Sequence, residues 1–350
     1  MIKVSEAAIL NKSNSELVID EITLPENLLF GQVLVELITS GICGAQINEI
    51  DAVKGPDKFL PHLLGHEGYA QVLEIGEGVT TIERGDFVVM HWRPGSGIEA
   101  KTAKYKWRGR NLNSCWVTTF NRHAVVSENR LTRIENNKLS KGIIPMLGCA
   151  LTTALGVLKN EADINPSDHL LIFGAGGVGL TLTKLAKYLG VNNITVVDTN
   201  KAKIDKAIEF GANNGVFFSN KQKTSDELKS LYKLNSPTVA IDTSGQPSAI
   251  EICYEVTNAN AKILLVGVPK VGSNICIYTL PLHFGKSIKG SKGGESNPSI
   301  DIPILTDLIS TKKLNFSDFP TSVYKFQSIN QAIFDLRNGI VGRMILDFQI

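Results

Sequence analysis

Three residues met in order along the chain share one chemistry. Cys43, His66 within Gly65-His66-Glu67-Gly68, and Cys149 are a thiol, an imidazole and a thiol. Thiolate and imidazole are the donors zinc prefers, and a set of three leaves the fourth coordination position open for water or substrate. A glycine-rich turn follows at Gly174-Ala175-Gly176-Gly177-Val178-Gly179. Between an apolar strand and a helix, such a turn lets the backbone approach a dinucleotide pyrophosphate and packs helix on strand. Asp198 ends the next strand-like run, about 20 residues beyond Gly179, where a carboxylate binds the ribose hydroxyls of NAD and repels the phosphate of NADP. Together these residues suit a metal that polarises an alcohol or carbonyl oxygen while a nicotinamide takes or gives a hydride. Each also suits a plainer place. Cys43 and Cys149 fit as small buried hydrophobes, His66 as a hydrogen-bonded core histidine, Asp198 as a strand-end cap, and the turn as one that binds nothing.

The elements that would position them change character near residue 150. Before it, short apolar runs such as Gln32–Leu37 and Tyr69–Ile75 are punctuated by glycines, the pattern of short strands in a barrel or sandwich. After it, the apolar runs His169–Phe173, Ile194–Asp198, Val239–Asp242 and Lys262–Val268 alternate with helical stretches, of which Val178–Leu189 is amphipathic. That alternation predicts a parallel sheet with helices on both faces. From about Gly290 it lapses, and Ile329–Arg337 reads as a helix before a last strand, Arg343–Phe348. At 350 residues two domains are expected. Lys and Arg total 36 against 34 Asp and Glu, and a net charge of +2 gives no electrostatic case for nucleic acid. No apolar stretch is long enough to cross a bilayer, Met1–Lys12 lacks the pattern of a secretory signal, and the five scattered cysteines make no disulfide framework. A cytoplasmic protein with no membrane partner is the expectation.

The runs Gly41-Ile42-Cys43-Gly44, Gly65-His66-Glu67-Gly68, Glu77-Gly78-Val79, Gly85-Asp86-Phe87-Val88, Gly148-Cys149-Ala150-Leu151-Thr152-Thr153-Ala154, the glycine turn and Gly342-Arg343-Met344-Ile345-Leu346 come in an order that resembles the zinc-dependent medium-chain alcohol dehydrogenase family over nearly the whole chain. The resemblance implies an α/β protein. A mainly β, GroES-like barrel catalytic domain would take residues 1–150 and 291–350, and a Rossmann-type nucleotide domain residues 151–290. It implies that Cys43, His66 and Cys149 ligate catalytic zinc, two cysteines and a histidine being the set known for alcohol dehydrogenases. Glu67 would stand beside the metal. Thr153 and Val268 would touch the nicotinamide, Asp198 and Lys203 the adenosine ribose, and Arg343 the pyrophosphate held by Gly174, Gly176, Gly177, Val178 and Gly179. Trp92 would line the substrate channel, with Lys292 where many relatives carry an apolar residue. A homodimer or homotetramer acting on a small alcohol or carbonyl compound is implied as well.

Two departures from the family pattern stand out. Many members hold a second, structural zinc with four close-spaced cysteines, and here no cysteine lies between Cys43 and Cys115, so one zinc per chain is expected. The family motif continues from its first cysteine with Gly, Thr or Ser, then Asp, whereas this chain reads Cys43-Gly44-Ala45-Gln46 and has Asn48 where a histidine often stands. Ala45 cannot relay a proton, while the Gln46 amide oxygen could accept a hydrogen bond from His66. A proton released from the substrate would leave through water, Glu67 or the substrate's own hydroxyls. The basic segment Arg93–Arg110, with Tyr105 and Trp107 interleaved, is expected with Lys292 to favour a polar polyol, sugar or cyclitol type of substrate. Two other readings stay open: a zinc-free enone or quinone reductase of the same superfamily, and a non-catalytic NAD-binding sensor.

Overall fold

The computed structural model describes residues 2–135, 139–233 and 235–350. The chain divides into two compact units, Met1–Thr152 with Asn297–Ile350, and Thr153–Ser296. The return crossing thus falls at Asn297, six residues beyond the expected position at 291. The turn Gly293–Glu295 packs on the helical stretch Val157–Ala162, with Asn160 Nδ2 donating to Gly294 O at 3.0 Å. A Cβ on Gly294 would come within 2.3 Å of Val157 N, so these residues stay with the second unit.

The first unit is mainly β, and its nearly closed sheet is barrel-like. The strand Gln32–Ile42 is its axis. One edge pairs antiparallel with Glu67–Ile75. The other pairs antiparallel with His123–Ser127 along residues 32–36 and with Arg343–Asp347 along residues 39–42. Residues far apart in the sequence are therefore stitched to one strand. Below it lies an apolar core that includes Val33, Val35, Leu37, Ile42, Met90, Phe120, Phe326 and Met344. A smaller core on the other side takes in Leu34, Val125, Tyr105 and Trp107. This in-and-out alternation is what a strand with both faces covered requires.

In the second unit six strands run parallel in the spatial order Asn214–Phe217, Asn193–Asp198, His169–Phe173, Val239–Asp242, Lys262–Leu265, Ser287–Gly290. The first strand in sequence sits in the middle, and the chain winds to one side and then returns to the other. Ligands of such sheets bind beyond the carboxyl ends of the strands where the winding reverses, here between His169–Phe173 and Val239–Asp242. The strands foreseen from the sequence are present, although the run from Lys262 stops at Leu265. The helix Pro298–Ser310 was not foreseen, because Pro303 inside it and a weakly sided pattern hide its period. No helix among the described residues is long and apolar enough to cross a membrane.

One buried acid ties the loops of the first unit together. Glu128 accepts the N–H groups of Thr80 and Thr81 at 2.7 Å on one oxygen and that of Ile98 at 2.8 Å on the other. Burial pushes its carboxyl up, but these N–H donors and the Thr81 hydroxyl outweigh burial and hold it below the usual value. A depressed folded value means that the carboxylate stabilises above its unfolded pKa of about 4.3 and loses that contribution as pH falls through the folded value. Glu128→Gln, with only one accepting end, is expected to lower stability by about 2 kcal/mol at pH 7. In urea unfolding the gap to wild type should close between pH 5 and pH 3. A gap independent of pH would refute the assignment.

Candidate metal centre and nucleotide turn

Cys43 follows the strand Gln32–Ile42 and opens the helix Gly44–Ile50. His66 precedes the strand Glu67–Ile75, and Cys149 precedes the helix Ala150–Gly156. Close backbone approach sets two of these positions. Gly65 has φ +93°, and a Cβ there would lie 2.3 Å from Thr119 Oγ1, while a Cβ on Gly148 would lie 2.1 Å from Met90 O. The result is convergence. The ligand atoms of Cys43, His66 and Cys149 all lie within 4.8 Å of one another, the one such group of three among the described residues. His66 Nε2 is 3.2 Å from Cys149 Sγ.

The electrostatics suit a cation. The hydrogen bond from Cys149 holds the Cys43 thiol well below its ordinary value despite burial, and Arg343 and His66 assist. The same bond, with burial, pushes the Cys149 thiol up. Burial works against the imidazolium of His66, but the hydrogen bond and charge of Cys43, with Glu67 and Glu49, push its pKa up overall. Two sulfurs and an imidazole nitrogen around one point fit a zinc ion with one position left open.

Glu67 is fully buried, with Oε2 bonded to Arg343 Nη2 at 2.5 Å. Burial pushes its carboxyl up, and Arg343 only partly opposes this. Oε1 has no partner, and a Cβ on Gly41 would strike it at 1.9 Å. Arg343, expected at the pyrophosphate, is itself buried against Glu67. Gln46 also departs from expectation. Its Oε1 accepts the Cys43 N–H at 2.9 Å, and its Nε2, not its oxygen, faces His66 Nδ1 at 2.5 Å.

The glycine turn is built as the sequence suggests. Gly174 has φ +96°, and a Cβ on Gly179 would meet Gly174 O at 1.8 Å, whereas the Cβ position of Gly176 is open. Gly176 caps the helix Gly177–Tyr188, and Val178 lies in its first turn. Asp198 Oδ2 accepts the Ala175 N–H at 2.6 Å and Oδ1 the Asn200 N–H at 2.9 Å, so this acid also shapes the turn. Lys203 is half-buried on the helix Lys201–Glu209, Thr153 is buried, and Val268 is exposed. Lys292, also in the second unit, is exposed. Trp92, in the first unit, is half-buried, its carbonyl accepting from Arg130 and its ring 5.9 Å from the Arg93 guanidinium.

The aromatic residues interleaved in the basic segment do not face outward. Tyr105 and Trp107 point into the smaller core, since in the strand Tyr105–Trp107 only Lys106 faces out. Trp107 Nε1 and the Arg108 guanidinium both engage Asp20. A cavity of about 730 Å³ in the first unit was missed, lined among others by Asn48, Glu49, Lys54, Phe59, His62 and Trp116. Burial pushes the carboxyl of Glu49, one of its lining residues, up, while the charges of His66, Lys54 and His62 oppose the shift. Its residues come from separate loops, which no local motif joins.

Removing one partner of a buried ion pair strands the other charge, at about 3–5 kcal/mol. Arg343→Met should therefore destabilise the protein by about that much, and Glu67→Gln in the same chain should restore part of the loss. Denaturant unfolding of both single variants and the double variant reads this. Strict additivity would show that the pair does not act as one.

Comparison with known proteins agrees with this architecture. The family model described as "Alcohol dehydrogenase GroES-like domain" matches residues 30–136, and that described as "Zinc-binding dehydrogenase" matches residues 177–311. The chain is 27% identical to "Alcohol dehydrogenase 6" of Peromyscus maniculatus, with 97% of each chain covered. It is 26% identical to "S-(hydroxymethyl)glutathione dehydrogenase" of Synechocystis sp., covering 91% of this chain and 93% of the relative. Among solved structures, benzyl alcohol dehydrogenase from Acinetobacter calcoaceticus shares the fold with a TM-score of 0.88 at 24% identity, covering 99% of each chain. The alcohol dehydrogenase of Aeropyrum pernix shares it at 0.79 and 21% identity, over 98% and 99% of the two chains. With two domain matches in sequence order and relatives along nearly its whole length, the chain belongs to the zinc-dependent medium-chain alcohol dehydrogenase family.

Proposed function

We propose that the chain is a zinc-dependent, NAD-linked dehydrogenase interconverting an alcohol and a carbonyl compound, with Cys43, His66 and Cys149 as the metal ligands. The convergence of those three donors carries the reading. Zinc held there supplies Lewis acidity to a substrate oxygen. NAD supplies the hydride acceptor, and its reduced form the donor. The chain's own residues do the rest. Two sulfurs and the His66 nitrogen fix the open position, and Glu67 with Arg343 keeps a charged pair behind it. The turn Gly174–Gly179 admits a pyrophosphate, and Asp198, already holding the turn through Ala175, turns its remaining acceptor capacity to ribose hydroxyls.

Ala45 offers a methyl group where a hydroxyl would pass a proton on, so the proton leaves through water, Glu67 or neighbouring hydroxyls of the substrate. The cavity in the first unit supports a polar substrate, a polyol, sugar or cyclitol, because Asn48, Glu49, Lys54 and His62 line it alongside Phe59 and Trp116. One zinc per chain is part of the proposal, and the single group of three donors among the described residues supports it.

The experiment is an alcohol panel with NAD, read as absorbance of the reduced nicotinamide. Polyols, sugars and their phosphates are expected to exceed short aliphatic alcohols in kcat/KM, and silence across the whole panel would overturn the reading. Cys149→Ala should remove stoichiometric zinc and lower turnover by at least about 10³-fold, with NAD binding retained. For the cofactor, Asp198→Ala should narrow the preference for NAD over NADP by about tenfold. Equal kcat/KM for the two cofactors in the wild type would refute the role given to Asp198.

A further inference from the structure

We infer that Gln46 holds the metal affinity of this centre below what its three donors would otherwise reach, so that the bound cation exchanges readily. The inference rests on the reading of Cys43, His66 and Cys149 as ligands. A carboxamide has one accepting end and one donating end. Two groups compete for the accepting end. The Cys43 N–H opens the helix Gly44–Ile50 and has the Gln46 oxygen as its acceptor at 2.9 Å. His66 turns Nε2 toward the sulfur of Cys149, 3.2 Å away, and Nδ1 toward Gln46, 2.5 Å away. A histidine that gives its Nε2 lone pair to a metal carries its hydrogen on Nδ1, and that hydrogen needs an acceptor. Gln46 presents an NH₂ group there.

The arrangement suits a neutral His66 without metal, whose Nδ1 can accept from the amide while Nε2 keeps its hydrogen toward the sulfur. Metal binding moves the hydrogen to Nδ1, where two donors then face each other. Turning the amide over moves the conflict to the Cys43 N–H without removing it. Gln46 is 0% exposed, so solvent offers neither donor a substitute. A carboxylate at this position would accept from both groups at once. The side chain at 46 therefore acts as a positioning residue that favours the empty centre over the filled one.

The test is the Kd for zinc, measured on the full chain by competition with a chromophoric chelator, for wild type, Gln46→Glu and Gln46→Met. Loss of a partner that orients a ligating histidine usually weakens metal binding by about 10–100-fold. If Gln46 opposes the metal, Gln46→Glu binds zinc at least about tenfold tighter. Gln46→Met, which neither donates nor accepts, then binds no more weakly than wild type. Unchanged or weaker binding by Gln46→Glu overturns the inference. Should that variant fail to fold, Gln46→Met decides alone: binding weakened about tenfold or more overturns the inference, and binding at or above wild type supports it. Lack of stoichiometric zinc in every variant, wild type included, would overturn the ligand assignment and this inference with it.

Discussion

A carboxylate taken wholly out of water has to be met by a positive charge, and in this chain Glu67 is met by Arg343, 276 residues further on. That requirement fixes the register of three strands. Gly41 pairs with Ile345 on one side, while Ser40 pairs with Gly68 on the other, and Gly41 is where a side chain would collide with Glu67. The closing strand Arg343–Asp347 is therefore part of the wall behind the metal donors. With the same strands in place, Cys43 and His66 leave adjacent strand ends and are brought close enough to share a cation.

The two units contribute to the chemistry in different ways. In the first, the proposed chemistry rests on side chains, with sulfur, imidazole and carboxylate held by antiparallel pairing. The second relies on backbone, with a turn of glycines at the switch point of a parallel sheet and one acid bracing it. The turn was legible in the sequence because it is a short motif whose residue types are demanded by local geometry, whereas Cys43, His66 and Cys149 stand in three separate segments and drew together as a ligand set only through the family resemblance. His169–Phe173 and Val239–Asp242 were legible because buried parallel strands are apolar throughout.

What escaped the sequence depends on partners distant along the chain. Nothing near Arg343 says that Glu67 will meet it. Likewise Tyr105 and Trp107 read as exposed aromatics in a basic segment because the charges around them are conspicuous, but the period-2 alternation of a short strand decides their burial. His91 shows how burial and partners decide what a residue type alone leaves open. Burial pushes its pKa down to about 4, and its ring nitrogens engage the Arg93 carbonyl and the Thr132 hydroxyl, so it is a neutral structural residue. The orientation of the Gln46 amide was beyond reach for another reason, since it is set by a backbone N–H that only the helix start at Gly44 puts in place.

Gly41, Gly65 and Gly148 each pass so close to other atoms that a single added carbon would collide, with Glu67, Thr119 and the Met90 carbonyl respectively. The donors are thus registered by main chain against its immediate neighbours, and the fit of side chains in the apolar interior has little say in where they stand. Such an interior is free to drift. Valine can replace isoleucine, or methionine leucine, across the core around Phe120 and Phe326 at modest cost while the donors stay where they are. Lineages of this fold can therefore diverge through most of their apolar residues and still share a centre, provided that a few positions without side chains are left alone.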